Sequence, residues 1–226
     1  MEQKTEQFAV DTSSRTVKQW AQGLFVLLIG LTIAHLGVTL FLLSSLGSDA
    51  FTVFVEGLSG LIGISIGTCH VIICLGLIVV MALTTRGYVK PGTVLCAFLG
   101  GWIIDLFVLL LGGLIHAESH IALRVGAMLV GCGILSFGMS LVIKSNSGTG
   151  PNDLVAIILS DKINKRRKIA FRWVRIAVDL LFAALGFVLG GTLGVGTIAA
   201  AVLIGPIVQL CLPVSQKLIH KVFPEV

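Results

Sequence analysis

The feature that most constrains this chain is a succession of long apolar runs. A helix needs ~20 apolar residues to cross ~30 Å of hydrocarbon. One run, residues 50–64, is too short to cross and contains Glu56, so it predicts a half-helix or re-entrant segment. Six other runs reach the required length and predict membrane-spanning helices: residues 20–44, 66–84, 92–115, 122–143, 169–190 and 193–213.

The composition excludes an ordinary soluble domain. Charged residues make up 12% of the chain, against about 25% in soluble domains, and hydrophobic residues make up 56%. The mean hydropathy is +1.03. The five cysteines all lie in apolar runs and form no C-x-x-C motif, so we interpret them as reduced, small apolar side chains.

The basic residues predict the orientation of the chain in the membrane. Thirteen of the 16 lysines and arginines fall in the N-terminal tail, in alternate loops and after the last run, whereas Arg124 is alone in the opposite loops. By the positive-inside rule, both termini are cytoplasmic. No basic stretch is interleaved with aromatic residues, so we expect no nucleic-acid partner.

An internal duplication relates the two halves of the chain. A pattern of glycine, leucine and serine in the first run recurs 101 residues later, and the motif Gly92-Thr93 recurs 104 residues later as Gly196-Thr197. Each half holds three predicted spans, an odd number, so the second half enters the membrane from the opposite face. The matching positions of the first pattern are Gly30, Gly37, Leu40, Ser44 and Gly47, with Gly131, Gly138, Leu141, Ser145 and Gly148.

The predicted fold is therefore all-α: six transmembrane helices in two inverted-topology three-helix repeats, each with a short broken helix. We divide the chain into a cytoplasmic tail (1–19), a first membrane repeat (20–115), an external linker (116–121), a second membrane repeat (122–215) and a cytoplasmic tail (216–226). Internal symmetry of this kind is typical of transporters.

Charged residues within the spans form the first part of a functional shortlist, because each costs at least ~2.5–3.5 kcal/mol at the bilayer centre. Arg172, Arg175 and Asp179 share one face of the fifth span, and Arg175 can pair with Asp179 one turn away. Two interpretations stay open. The pair is either an internal ion pair or part of a pathway for a substrate or coupling ion.

Two further polar residues occupy matching positions in the halves. Asp105 lies in the middle of the third span, and its counterpart in the sixth is Gln209. They either both face a central cavity or form hydrogen bonds between helices. Asp105 can also take up and release a proton. His35 and His70 also lie within spans, and we interpret both as hydrogen-bonded packing residues.

The two loops that precede the short helices are the candidate gates. The first contains Gly47 and Asp49, and the second is built from Gly148, Pro151, Asn152 and Asp153. Proline in the first helical turn predicts a helix start, and the aspartates are suited to capping it. Carboxylates at these amino ends would compete with an anionic solute, so they favour a zwitterionic, cationic or proton-coupled one.

Other chemistry finds little support in the sequence. His116, Glu118 and His120 are close together in a predicted external loop, but their spacing is not H-E-x-x-H and no third ligand is evident. We expect no metal, no cofactor and no enzymatic activity. No nucleotide-binding loop is present, so any energy coupling would use an ion gradient or a separate partner.

The glycine-based motifs resemble those of the YczE/YitT group of bacterial integral membrane proteins. The resemblance rests on Gly148, Pro151 and Asp153 and on the two Gly-Thr…Gly-x-Ile spans, and it extends over residues 20–212. It implies a protein of the bacterial cytoplasmic membrane, of the shorter YczE type without a soluble C-terminal domain. The first loop departs from the pattern, with Ala50 in place of proline and Thr52 in place of aspartate.

The leading functional hypothesis is a small permease for a small polar solute, working in the lipid bilayer by alternating access. The alternative is a non-transporting scaffold or regulatory partner of another membrane complex, with the basic run 162–168 as a docking surface; that run is otherwise a determinant of topology. The sequence leaves open whether the protein is a monomer or a homodimer.

Overall fold

The part of the chain that the structure describes contains eight helices joined by loops. The structure is a computed structural model, and it describes residues 15–85, 87–115, 117–164 and 169–223, over which there is no strand. In chain order the helices are α1 (Val17–Ser44), α2 (Ala50–Ile62), α3 (Ile66–Thr84), α4 (Pro91–Leu111), α5 (Ile121–Lys144), α6 (Pro151–Asn164), α7 (Phe171–Val188) and α8 (Val195–Val222).

Local sequence signals explain where several of these helices begin. The side chains of Thr16, Asp49 and Ser65 each accept a hydrogen bond from a backbone N–H in the first turn of α1, α2 and α3. Helices α4 and α6 start at Pro91 and Pro151, whose missing N–H is not needed at that position. The predicted half-helices are therefore present as α2 and α6.

The chain is a polytopic helical membrane protein. Within the described residues, five helices are long and apolar enough to cross a bilayer: α1, α3, α4, α5 and α8. The outer faces of α3, α4 and α8 expose large apolar side chains such as Val79, Leu109 and Leu210, as expected of surfaces in contact with lipid tails. Helix α7 has 18 residues and carries the three charged side chains singled out above.

The last helix corrects the predicted end of the sixth span. We expected the span to stop at Pro213, but α8 runs through Pro206 and Pro213 to Val222. Each proline removes one backbone hydrogen bond, but side-chain contacts hold the helix beyond Pro213 in place. The Ser215 hydroxyl oxygen lies 2.6 Å from that of Ser140 on α5, and Ile219 packs into an apolar cluster. The first residues of the predicted C-terminal tail are therefore helical.

The centre of the fold is a close contact between α1 and α5. Gly30 of α1 lies against Gly138 of α5, and Gly37 lies against Gly131. A Cβ atom at any of these glycines would come closer to the opposite helix than real Cβ atoms do. Small residues at these positions let the two backbones approach, and α1 and α5 are the most buried of the long apolar helices.

Equivalent positions in the two halves make equivalent backbone contacts. The Gly196 N–H donates to the Leu46 carbonyl at 2.7 Å, and the Gly92 N–H donates to the Ser147 carbonyl at 3.0 Å. Leu46 and Ser147 are 101 residues apart, and the two glycines are 104 residues apart. Each bond ties the loop before a short helix to the start of a long helix in the other half.

The carboxyl ends of α1 and α5 are also held in matching ways. Arg124 donates from Nε to the Ser44 carbonyl at 2.7 Å, at the end of α1. Arg15 donates from Nη1 to the Ser145 carbonyl at 3.3 Å, at the end of α5. A cation at a helix carboxyl end is favoured by the exposed carbonyls and by the helix dipole.

A third pair of similar contacts consists of hydrogen bonds that join each short helix to a loop of the other half. Glu56 of α2 accepts hydrogen bonds from the backbone N–H of Thr192 at 2.9 Å and from its hydroxyl at 2.8 Å. Asp161 of α6 accepts one from the Tyr88 hydroxyl at 2.8 Å. This bond raises the pKa of Tyr88, because the carboxylate stabilises the protonated phenol.

We expect Gly37→Ala and Gly138→Ala each to lower the free energy of unfolding by about 1–3 kcal/mol, because the added methyl group meets backbone atoms that have no room to move. Gly133→Ala, also on α5, is the matched control, since a Cβ atom there has no neighbour within 4 Å. Thermal unfolding of the purified variants in detergent measures the effect. Equal shifts in all three variants would contradict the proposed glycine contact.

Candidate functional site

A cavity of about 140 Å³ lies inside the helix bundle. Its walls come from both halves of the chain, and it contains side chains from α1 to α8. The polar residues that line it are His35, Asp49, Thr52, His70, Thr149, Asn152, Asp153 and Arg175, and the apolar ones include Phe51, Cys96, Leu135 and Met139.

The amino ends of both short helices open onto this cavity. Asp49 and Thr52 come from the start of α2, and Asn152 and Asp153 come from the start of α6. The preceding loops need glycine, because Gly47 and Gly148 have φ values of 99° and 144°. Most of the predicted gate residues therefore line one cavity, while the two glycines shape the loops behind it.

Asp49 is a helix cap whose charge faces the cavity. One carboxylate oxygen accepts a hydrogen bond from the Thr52 N–H at 3.2 Å, and the other accepts one from the Thr52 hydroxyl at 2.7 Å. Within the described ranges, no basic side chain forms a salt bridge with Asp49. The carboxylate retains further acceptor capacity, since it has about four lone-pair sites.

Arg175 binds two carboxylates at the opposite wall. Its Nη1 donates to Asp153 Oδ1, and its Nε donates to Asp179 Oδ2 at 3.0 Å. The exposed fractions of the side chains are 32% for Arg175, 20% for Asp153 and 39% for Asp179. The structure thus joins Arg175 to Asp179 as an ion pair, and also to Asp153 in the second gate loop, a contact that spacing within α7 does not predict.

Two histidines that are distant in the sequence lie together at this site. The His35 and His70 rings are 5.6 Å apart between centroids, and Phe51 lies 5.5 Å from His70. His35 Nδ1 lies 2.8 Å from the Leu31 carbonyl, so Nδ1 carries the proton and Nε2 is an acceptor. The only signal in the sequence was that each is a polar residue within an apolar run.

Asp105 and Gln209 do not meet in the cavity. Asp105 accepts hydrogen bonds from the Ser65 hydroxyl at 2.6 Å and from the Gly67 N–H at 2.8 Å, at the amino end of α3. It therefore makes the interhelical hydrogen bonds that were one of the two alternatives. Gln209 is exposed on the outer face of α8, because its helix turns the side chain away from the other half.

The remaining sequence candidates lie elsewhere. His120 caps α5, accepting a hydrogen bond from the Ala122 N–H at 3.2 Å. His116 and residues 165–168 of the basic run are outside the described residues. Arg172 is exposed, with its guanidinium 5.4 Å from the centre of the Trp173 ring.

We expect Arg175→Gln to lower the free energy of unfolding, because Asp153 and Asp179 lose the cation that they share. The expected loss is about 1–3 kcal/mol, between the values measured for exposed and for buried ion pairs. Adding Asp179→Asn should restore at least half of the loss. Arg172→Gln is the matched control on the same helix and should have a smaller effect. Thermal unfolding in detergent tests this, and a double variant no more stable than Arg175→Gln would contradict it.

We also expect Asp105→Ala to cost about 1 kcal/mol of stability, because the Ser65 hydroxyl and the Gly67 N–H lose their acceptor. Gln209→Ala, at the corresponding position of the other half, should stay within about 0.5 kcal/mol of the parent. Chemical or thermal unfolding of both variants provides the comparison. Equal destabilisation would show that these hydrogen bonds of Asp105 do not stabilise the fold.

Comparison with known proteins identifies relatives along most of the chain. The chain is 31% identical over 195 residues to a Bacillus subtilis protein described as an uncharacterized membrane protein, YczE, covering 84% of this chain and 86% of that protein. It is 27% identical over 189 residues to YyaS of the same organism, covering 84% and 92%. A Haemophilus influenzae protein is 30% identical over 196 residues, covering 86% and 85%.

No solved structure matches the chain significantly. The resemblance to YczE that the glycine motifs indicated is confirmed by these relatives. Residues 21–213 match the model of a family of unknown function, DUF6198. This range includes all eight helices apart from the first residues of α1 and the last residues of α8. The chain therefore belongs to this family of YczE-like membrane proteins.

Proposed function

We propose that this protein is a transporter of the bacterial cytoplasmic membrane that moves a small polar solute by alternating access. One observation carries the proposal: residues at the amino ends of both short helices line the same cavity, together with Arg175, which binds Asp153 at the start of α6. Broken helices whose ends meet at a solute site are a recurring device in transporters. Both termini are cytoplasmic in this proposal.

The two halves form an inverted repeat in this proposal. Shifting the contact between Gly30 and Gly138 by 101 residues, with the halves exchanged, gives the contact between Gly131 and Gly37. The backbone bonds at Leu46 and Ser147 are exchanged in the same way. Such reciprocity is what a two-fold axis through the α1–α5 contact would produce, and it supports two gates of similar construction.

In this proposal helix α7 also crosses the membrane, as the fifth span, and brings the number of spans to six. Its 18 residues give ~27 Å at ~1.5 Å per residue, close to the hydrocarbon thickness. Two of its three charges, Arg175 and Asp179, are paired with each other. Arg172 lies one residue from the helix start and can extend to the interface. Apolar side chains such as Leu180 and Leu181 are exposed to the lipid.

Alternating access would open one set of matched contacts while the other stays closed. The outer set consists of the contact between Leu46 and Gly196 and the Glu56–Thr192 hydrogen bonds. The inner set consists of the contact between Ser147 and Gly92 and the hydrogen bond between Tyr88 and Asp161. Losing one hydrogen bond changes an equilibrium by about 0.5–1.5 kcal/mol, which corresponds to roughly two- to twelvefold.

This proposal predicts opposite effects of weakening the two gates. A cysteine is introduced at Ser48 in one variant and at Thr149 in another; the two positions are 101 residues apart. The first cysteine reports access from the outside, and the second reports access from the inside. Thr192→Val should raise labelling of the cysteine at 48 by an external thiol reagent and lower labelling of the cysteine at 149 from inside. Tyr88→Phe should do the reverse, each by roughly two- to tenfold.

The parent protein is the control for background labelling, because four of its cysteines are buried and Cys211 is partly buried. The assay uses inside-out and right-side-out membrane vesicles with a membrane-impermeant maleimide. If both substitutions raised labelling at both positions, the effect would be local loosening, and alternating access would be contradicted. Unchanged labelling in every variant would contradict it as well.

A further inference from the structure

We propose that the solute of the central cavity is a compact organic monocation that carries N–H donors, such as an amidinium or a short alkylammonium ion. The inference rests on the transport function proposed above, but it concerns binding and can be tested without transport. Three properties of the cavity support it: its charge, its hydrogen-bonding groups and its size.

The charge of the cavity favours one positive charge on the solute. Asp49 and Asp153 line the cavity with Arg175, and Asp179 lies outside the lining but is paired with Arg175. Together these three carboxylates and one guanidinium carry a formal charge of −2, counting both imidazoles as neutral. The amino ends of α2 and α6 add roughly +0.5 each. About one negative charge is left uncompensated, which a monocation would balance and an anion would increase.

Several of the groups that line the cavity can accept hydrogen bonds. Arg175 donates from Nη1 to Asp153 and from Nε to Asp179. The Asn152 amide nitrogen donates to Asp153 at 3.4 Å, which leaves its carbonyl oxygen as an acceptor. A solute with several N–H donors matches such a lining.

Capping alone does not account for Asp49. Serine at the same position would satisfy the Thr52 N–H without a charge, as Ser65 does for Thr68 at the start of α3. Asp49 places a full negative charge on a wall that also carries Phe51 and His70. No cation of the described chain pairs with Asp49, so a cationic solute is the group that would neutralise it.

The volume limits the solute to a few heavy atoms. The cavity measures about 140 Å³, close to an engineered cavity of ~150 Å³ that holds benzene, and a water occupies ~30 Å³ of the liquid. A solute of about four to six heavy atoms fits that space. Amidinium and short alkylammonium ions have this size, whereas a nucleotide or a sugar does not.

Three test ligands of nearly equal shape distinguish the effect of the solute's charge on binding from the effect of its size. Acetamidinium, acetamide and acetate each have four heavy atoms and carry charges of +1, 0 and −1. Calorimetric titration of the purified full-length protein in detergent should show saturable binding of acetamidinium, with acetamide and acetate at least tenfold weaker. Tightest binding of acetate, equal binding of all three, or no saturable binding of acetamidinium would overturn the inference.

A matched pair of variants locates the binding. Asp49→Asn should weaken acetamidinium binding at least tenfold, whereas Glu118→Gln, which removes an exposed carboxylate outside the cavity, should leave it unchanged. Equal affinity of Asp49→Asn and the parent would overturn the assignment to this cavity. If Asp49→Asn does not fold, Asp49→Glu takes its place and should retain the preference for the cation; loss of that preference would overturn the assignment.

Flux measurements separate this inference from the proposed function. Reconstituted vesicles are tested with the same three molecules. Selective binding of acetamidinium without any flux would support the cation site and contradict transport. Flux of acetate or acetamide without binding or flux of acetamidinium would support transport and overturn the cation site.

Discussion

The close contact between α1 and α5 is the interaction on which the rest of the structure depends. Gly30, Gly37, Gly131 and Gly138 remove the side chains that would keep the two backbones apart. Because the helices cross so closely, the loops at their ends reach the opposite half, and the bonds at Leu46 and Ser147 can form. The short helices that follow these loops are thereby aimed at one cavity rather than at two separate surfaces.

The two halves contribute backbone elements in similar arrangements to the cavity, but they place different polar side chains at equivalent positions. His70 is the fifth residue of α3, and Arg175 is the fifth residue of α7. Both line the cavity from equivalent positions, one as an imidazole and the other as a guanidinium. Thr52 and Asp153 are related in the same way, 101 residues apart. The second half therefore carries the fixed ion pairs, whereas the first half carries the carboxylate of Asp49.

The sequence predicts the helices well where the signal is local. The apolar runs and Pro151 predict where the eight helices lie, and, among the described residues, five of the six predicted spans, all except α7, form helices long and apolar enough to cross a bilayer. The end of α8 was missed because packing of Ser215 and Ile219 outweighs two prolines. The cavity was predicted only in part: its gate residues lie in visible motifs, but the proximity of His35 to His70 and of Arg175 to Asp153 depends on tertiary contacts between distant segments.

In the proposed alternating-access cycle, the unequal distribution of charge has a consequence for the two gates. Arg175 ties the start of α6 to α7, so movement of the inner loop must separate or carry along two charged partners. Among the described residues, Asp49 has neutral hydrogen-bond partners at Ser48 and Thr52, so in the proposed cycle the outer loop would move without breaking an ion pair. Since separating charges in a low-dielectric interior costs more than exchanging neutral hydrogen bonds, the proposed mechanism implies that the outer gate would open at lower cost in the absence of solute.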